Sequence, residues 1–175
     1  AFPFFPSLYT HGNTCSSIQT DYEKIKEAKT ILIIGGGPVG VELAGEIVVD
    51  FPDKKVILAH GGSRLIEFLG PKASEKALGW LRKKNVEVLL NERVDVDNRS
   101  EKTYRTSSGQ TIEADCDFLC VGRKVSSSWM QSSFLKEVLD ETGRVKVDEY
   151  LRVEGHTNVF AVGDVTAIKV FIMCL

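Results

Sequence analysis

The chain has no C-x-x-C pair, no apolar run near the roughly 18 residues that a membrane-spanning helix needs, and no excess of positive charge. Each absence removes a class of function. The four cysteines, Cys15, Cys116, Cys120 and Cys174, have no histidine beside them at zinc-site spacing, so neither a metal centre nor a dithiol redox site is expected. Cys116 and Cys120, four apart in "CDFLC", share a face if that stretch is a strand, and read as small core residues in a reducing compartment. With 22 Lys and Arg against 24 Asp and Glu, the net charge is -2, which argues against a dedicated nucleic-acid or anionic-membrane surface. The opening "AFPFFPSLYTHGNTCSSIQT" lacks Met, a basic leader and an apolar stretch of useful length, so it does not read as a signal peptide. The missing Met suggests a fragment or a processed product. What remains, 43% hydrophobic and 26% charged residues in a chain of 175, suits a globular protein with one well-buried core or two small ones.

The informative stretch begins at residue 21. "DYEKIKEAK" is a polar helical lead, and "TILII" after it is the short β-branched run of a parallel strand buried on both faces. "GGGPVGVELAGEIVVDF" follows, where Gly35-x-Gly37-x-x-Gly40 opens an amphipathic helix to about Val49, and "KKVILA" at 54–59 supplies a second strand. Strand, glycine turn, helix, strand is the order that dinucleotide binding requires. Gly35 permits a tight exit from the strand, Gly37 lets backbone N–H groups approach a pyrophosphate, and Gly40 lets the helix lie close to the sheet. Gly36, Pro38 and Val39 complete the loop, and the helix N-terminus faces the phosphates with free N–H groups. Glycines gathered in a purely structural turn are the competing reading; the matching context on both sides weighs against it.

The end of the second strand departs from this pattern. An Asp or Glu about 20 residues beyond the glycines accepts hydrogen bonds from the ribose 2'-OH of NAD, whereas here "ILAHGGSR" places His60. Without a carboxylate nothing repels a 2'-phosphate, and His60 with Arg64 four residues on could accept one, so NADPH is expected to be at least tolerated. The alternative is a solvated strand end and a surface charge.

Farther on, "KASEKALGWLRKKN" at 72–85 carries Ala77, Leu78 and Leu81 on one helical face and precedes the strand "VEVLL". "KTYRTSSG" and "QTIEADC" read as a hairpin turning at Ser108-Gly109. "DFLCVGR" is a strand returning to the sheet. After Gly122 the composition shifts to the polar "KVSSSWMQSS", and then to short alternating strands with turns at Thr142-Gly143 and Gly155-His156, ending in a final strand "VFAVGD". A boundary is expected near Gly122.

Taken in order, "TILIIGGGPVGVELAGEI", "DFPDKKVILAHGGSRLIEFLGPKA", "DFLCVGR" and "LRVEGHTNVFAVGD" resemble successive segments of the two-dinucleotide-domain flavoprotein reductases. Among these the chain is most similar to the plant branch of apoptosis-inducing-factor homologues, close to the ferroptosis-suppressor oxidoreductases and type II NADH dehydrogenases, over about residues 21–168. The resemblance implies an α/β fold: an unassigned segment at 1–20, a Rossmann-like NAD(P)H-binding domain with a β-meander at 21–122, and part of an FAD-binding domain at 123–175. It implies FAD and NAD(P)H as cofactors, with hydride passing from nicotinamide to the flavin and on to a quinone-like acceptor. By position, Gly35, Gly37 and Gly40 would hold the NAD(P)H pyrophosphate, and Gly122 would close the cofactor-binding strand. Glu42 and Glu46 would approach the nicotinamide or flavin, although carboxylates stabilising the helix start through its dipole explain them equally. Asp164 would bond the flavin ribitol, with Gly163 permitting close approach; a plain Gly-Asp turn is the alternative. His156 reads as structural.

The family's first βαβ unit and the segment after the Gly-Asp motif have no counterpart. The expectation is therefore a truncated product that takes up NAD(P)H but holds no FAD alone, and is active as an oxidoreductase when the rest is supplied. A non-catalytic nucleotide-binding or interaction module, meeting a partner chain or a second copy through an exposed half-domain, is the alternative. The expected location is cytoplasmic, with attachment to a membrane periphery left open.

Overall fold

In the computed structural model, residues 14–100, 102–122 and 127–168 are described, and they fall into two compact units divided after Gly122.

The first unit runs α1 (Thr14–Glu27), β1 (Thr30–Ile34), α2 (Pro38–Asp50), β2 (Lys55–His60), α3 (Pro71–Lys83), β3 (Glu87–Leu90), β4 (Val94–Ser100), β5 (Thr103–Thr106), β6 (Thr111–Glu113) and β7 (Cys116–Leu119). Four strands form a sheet in the order β3-β2-β1-β7, and the other three form a second sheet, β4-β5-β6. In the first sheet all pairs are parallel, with Ile31 facing Val56 on one side and Cys116 on the other. The meander is antiparallel.

The unbroken apolar run of β1 follows from its place. Ile31, Leu32 and Ile33 are all 0% exposed, because helices cover one face of the sheet and the meander covers the other. Ile31, Ile33, Val56 and Leu58 pack with Leu43, Ala44, Ile47 and Val48 of α2 and Leu81 of α3. Leu32, Ile34, Ile57 and Ala59 pack with Val94, Tyr104 and Ile112. A strand covered on both faces has no polar face to show.

Two elements depart from the sequence reading. Helix α1 begins at Thr14, inside the stretch expected to be unassigned. Its first turns, rich in Thr, Ser and Cys, are weak helix formers, and tertiary packing of Ile25 and Ala28 against the helix-side core holds the C-terminal end. Strand β4 is the second departure; among its described side chains, Val94 and Val96 of "VDVDNRS" reach the core.

Asp115, just before β7, ties the far ends of this unit together. Its Oδ2 accepts from the N–H groups of Lys29 and Thr30, both at 2.9 Å, while its own N–H donates to the Thr30 carbonyl at 2.8 Å. These donors hold its carboxyl below the usual 3.8, against the cost of desolvation. Glu92 is likewise lowered, first by the Thr106 and Ser108 side chains. A carboxylate depressed on folding adds stability that is present above its unfolded pKa and is lost as pH falls through the folded value. Stability is therefore expected to fall as pH drops below about 4, and Asp115→Asn to flatten that fall. Urea titrations across the acid range check this; an unchanged slope in the variant would contradict the role of Asp115.

The second unit has a small core of Met130, Val138, Val145 and Val153. Its described residues form no named strand, only isolated bridges such as Val147 with Val153 and Arg152 with Phe160, together with short 3-10 turns. The expected final strand at 159–164 is thus corrected: Phe160 makes a single bridge, and Gly163–Val165 is a 3-10 turn. Val159 and Ala161 pack on the core, while Phe160 and Val162 remain exposed, so the segment has one covered face and no ladder beside it.

Two aspartates organise this unit with one geometry. Asp140 Oδ1 accepts from the N–H groups of Thr142 and Arg144, and Asp148 Oδ1 from those of Tyr150 and Arg152. In the first turn the left-handed position is Gly143, at φ +82°; in the second it is Leu151, at φ +64°. The Asp140 carboxyl is lowered chiefly by the Thr142 hydroxyl. Asp148 is lowered too, since burial raises it but the Arg152 and Tyr150 donors outweigh that.

Candidate functional site

The candidate site of the first unit is the turn between β1 and α2. Gly35 leaves the strand at φ +117°, and a Cβ on it would lie 2.5 Å from the Cys120 carbonyl oxygen at the end of β7. A Cβ on Gly40 would lie 1.9 Å from the Gly35 oxygen. Gly36 is equally confined: a Cβ there would meet Leu65 Cδ2 at 2.5 Å and His60 Cγ at 2.8 Å. Packing alone demands glycine at these three positions.

Gly37 is different. Its φ of -74° suits any residue, and no atom lies within 4 Å of where its Cβ would be. It is the N-cap of α2, with Pro38 and Val39 opening the helix, and no side chain caps it. The first-turn N–H groups of an uncapped helix are an anion site in waiting.

His60 ends β2 with its ring turned under this loop instead of into solvent. Its Nδ1 accepts from the Gly36 N–H at 3.1 Å, which assigns the ring proton to Nε2. The Gly36 carbonyl accepts from the Ile66 N–H at 2.8 Å. Both His60 Nε2 and Arg64 Nη1 are buried donors without a partner among the described residues; the other Arg64 terminal nitrogen reaches the Glu67 carbonyl at 3.4 Å. Two unpaired buried donors, one at the end of β2 and one in the loop after it, suit an anionic or hydroxyl-bearing ligand.

Glu67 is a neighbour that the sequence reading missed. Its Oε1 and His60 Nε2 lie 2.2 and 2.8 Å from the same point, the Cβ position of Gly62. It stands seven residues beyond the strand end, where no spacing rule looks for an acid.

The remaining expected site residues lie elsewhere. Glu42 and Glu46 are exposed, one helical turn apart on α2, away from buried Leu43, Ala44, Ile47 and Val48. Gly122 is exposed with open space around it; the residues that touch the glycine turn are Cys120 and Val121 before it. In the second unit Gly163 takes φ +83° with nothing within 4 Å of a Cβ. Its carbonyl accepts from the Thr166 N–H and hydroxyl at 3.0 and 2.8 Å, and the exposed Asp164 carboxylate has no partner among the described residues.

Burial raises the Cys120 thiol to about 11, and burial together with Asp117 and Asp115 raises Cys116 to about 11. Both stay protonated at neutral pH, where only the thiolate is nucleophilic. In the folded chain they are expected to react with a thiol reagent at pH 7 at least about tenfold slower than an unfolded control; equal rates would show that they are accessible thiolates. Cys15 and Cys174 fall where side chains are not described. Among the described residues no group of His, Cys, Asp and Glu could hold a metal, and no helix is long and apolar enough to cross a membrane.

The model of the pyridine nucleotide-disulphide oxidoreductases matches residues 5–173. Apoptosis-inducing factor homolog A of Dictyostelium discoideum is 34% identical, over 82% of this chain and 40% of its own length. Ferroptosis suppressor protein 1 of Homo sapiens is 31% identical, over 94% of this chain and 47% of its own. The chain thus spans two fifths to one half of these relatives. Among solved structures, a water-forming NADH oxidase from Lactobacillus brevis bound to NADH superposes with a TM-score of 0.71 at 23% identity, covering 94% of this chain and 37% of the oxidase. A NAD-dependent persulfide reductase from A. fulgidus gives 0.72 at 25% identity, with coverage of 87% and 28%. These superpositions place the α/β architecture among Rossmann-like folds.

Proposed function

We propose that this chain, which belongs to the pyridine nucleotide-disulphide oxidoreductase family, binds NAD(P)H at the 35–40 loop as the nucleotide-binding part of an FAD-dependent oxidoreductase that passes hydride from NAD(P)H to flavin and on to a quinone-like acceptor. The observation that carries the reading is the contrast within one motif. Gly35, Gly36 and Gly40 are required by packing, but Gly37 has open space before it at an uncapped helix start, and a ligand's phosphates explain a glycine there.

In this reading the first-turn N–H groups of α2 take the pyrophosphate. His60 Nε2 and Arg64 Nη1 donate to the ribose side, where they favour a 2'-phosphate. Glu42 and Glu46 remain the proposed acids toward the nicotinamide, and Gly122 the proposed close of the cofactor strand. For FAD, the unpartnered Asp164 carboxylate would accept from a ribityl hydroxyl, with Gly163 leaving room. Bound flavin would supply the two-electron acceptor for the hydride.

One exposed carboxylate does not offset the cost of immobilising a large cofactor. The purified 175-residue chain is therefore expected to be colourless, and to gain flavin-dependent turnover of NAD(P)H with a quinone only when the remaining flavin contacts are supplied. Nucleotide at a hundred times its Kd should add about 2.7 kcal/mol of stability, a rise of several degrees in Tm. A chain that copurifies with stoichiometric FAD would contradict the first expectation; no shift at millimolar NADH or NADPH would contradict the second. A melting shift with no turnover, even when both FAD and the remaining flavin contacts are supplied, would favour a nucleotide-binding module.

A further inference from the structure

We propose that His60 is a positioning residue of the nucleotide loop, holding the Gly36 peptide in place only while its imidazole is neutral, so that acid weakens binding of the dinucleotide. The inference rests on the 35–40 loop being the NAD(P)H site.

Three contacts fix the Gly36 peptide. Its N–H donates to His60 Nδ1 at 3.1 Å, its carbonyl accepts from Ile66 at 2.8 Å, and the fully buried Leu65 fills the space beside its Cα. A loop set before the ligand arrives has less ordering to lose on binding. The hydrogen bond requires a bare Nδ1. Adding a second proton turns Nδ1 into a donor, and it then faces the Gly36 N–H, another donor. The attraction becomes a repulsion, and Gly36, which leads into Gly37 and the helix start, loses one of its two hydrogen bonds.

The charged groups around the ring come from two segments. Glu67 and Arg64 belong to its own loop, the former with Oε1 beside Gly62. After β3, the Glu92 N–H donates to the His60 carbonyl at 2.9 Å, and Arg93 Nε lies 3.5 Å from the Gly61 Cβ position. β1 and the glycine turn contribute no charged side chain, and Glu42 on α2 is exposed. A cationic ring would also attract a 2'-phosphate, so NADH, which lacks that phosphate, isolates the effect on the loop.

The test is NADH affinity, measured by calorimetric titration between about pH 8 and pH 5, the interval in which imidazoles change charge, for the 175-residue chain, His60→Asn and His60→Leu. The Asn Oδ1 stands in for Nδ1 as an acceptor that does not titrate. Wild type is expected to lose about tenfold across the interval. His60→Asn, which keeps an acceptor toward Gly36 but gives up the Nε2 donor, should stay flat across the interval at whatever level it binds, and His60→Leu should bind more weakly than His60→Asn throughout. A second readout needs no nucleotide: the Gly36 amide resonance should move with pH in wild type and not in His60→Asn. A wild-type affinity that is flat or rises in acid, a His60→Asn profile that tracks wild type, or a Gly36 amide indifferent to pH would each overturn the proposal. Absence of NADH binding in every variant would instead overturn the nucleotide-site reading, leaving the Gly36 amide to decide whether the clamp exists.

Discussion

Replacing Gly37 by alanine is expected to abolish most nucleotide binding while barely touching the fold, and replacing Gly40 by alanine is expected to do the reverse damage first. At Gly37 the added methyl meets no protein atom within 4 Å, so the cost is the N-cap difference between glycine and alanine, under about 1 kcal/mol. The methyl does occupy the opening in front of the helix start. Affinity for NADH and NADPH alike should fall at least about tenfold, equivalent to 1.4 kcal/mol. At Gly40 the methyl would sit 1.9 Å from a backbone oxygen that cannot swing away as a flexible side chain would. Alanine gains about 1 kcal/mol of helix propensity over glycine, yet forcing helix and strand apart should leave a net loss of about 3 kcal/mol. Urea denaturation and nucleotide-dependent melting shifts, run on both variants, separate the two effects. Equal loss of stability in both would mean that the glycines serve packing alone.

Arg64→Ala is expected to lower NADPH affinity by roughly ten- to a hundredfold, the worth of a charge-assisted hydrogen bond to phosphate, with NADH affinity nearly unchanged. The side chain has one buried terminal nitrogen without a partner and only a long contact, 3.4 Å, from the other, so its removal sacrifices little inside the protein. Competition titrations with the two nucleotides give the ratio directly. If both affinities fall together, the guanidinium supports the loop and not the ligand, and the 2'-phosphate assignment fails.

The central sheet was legible because its strands obey one strong rule. After their first residues, Thr30 and Lys55, "TILII" and "KVILA" are apolar throughout, and only a strand covered on both faces tolerates that. The glycine turn was legible too, since its spacing fixes both an exit from the strand and a close helix approach. What escaped were features without local periodicity. Helix α1 starts among Thr, Ser and Cys, where packing and not propensity decides. The orientation of His60 depends on the Gly36 amide 24 residues earlier, and Glu67 reaches its place through the course of a loop. In the second unit, alternating Val159, Ala161 and their neighbours promise a strand, but alternation reports only which face is covered. Whether a ladder forms depends on a neighbouring strand.

The order β3-β2-β1-β7 also carries a consequence in time. Strand β1 gains its first neighbour, β2, after a connection of 20 residues, 35–54, but its other edge is closed only by β7, which comes after the entire meander; Asp115 bonds across 85 and 86 positions to seal that junction. During synthesis from the N-terminus, β1, whose Ile31, Leu32 and Ile33 end fully buried, therefore remains a sheet edge with open N–H and carbonyl groups until the meander is complete. Contacts this distant in sequence form slowly. The nascent chain is most prone to misassociate in the interval after β2 has paired and before Cys116 has left the ribosome.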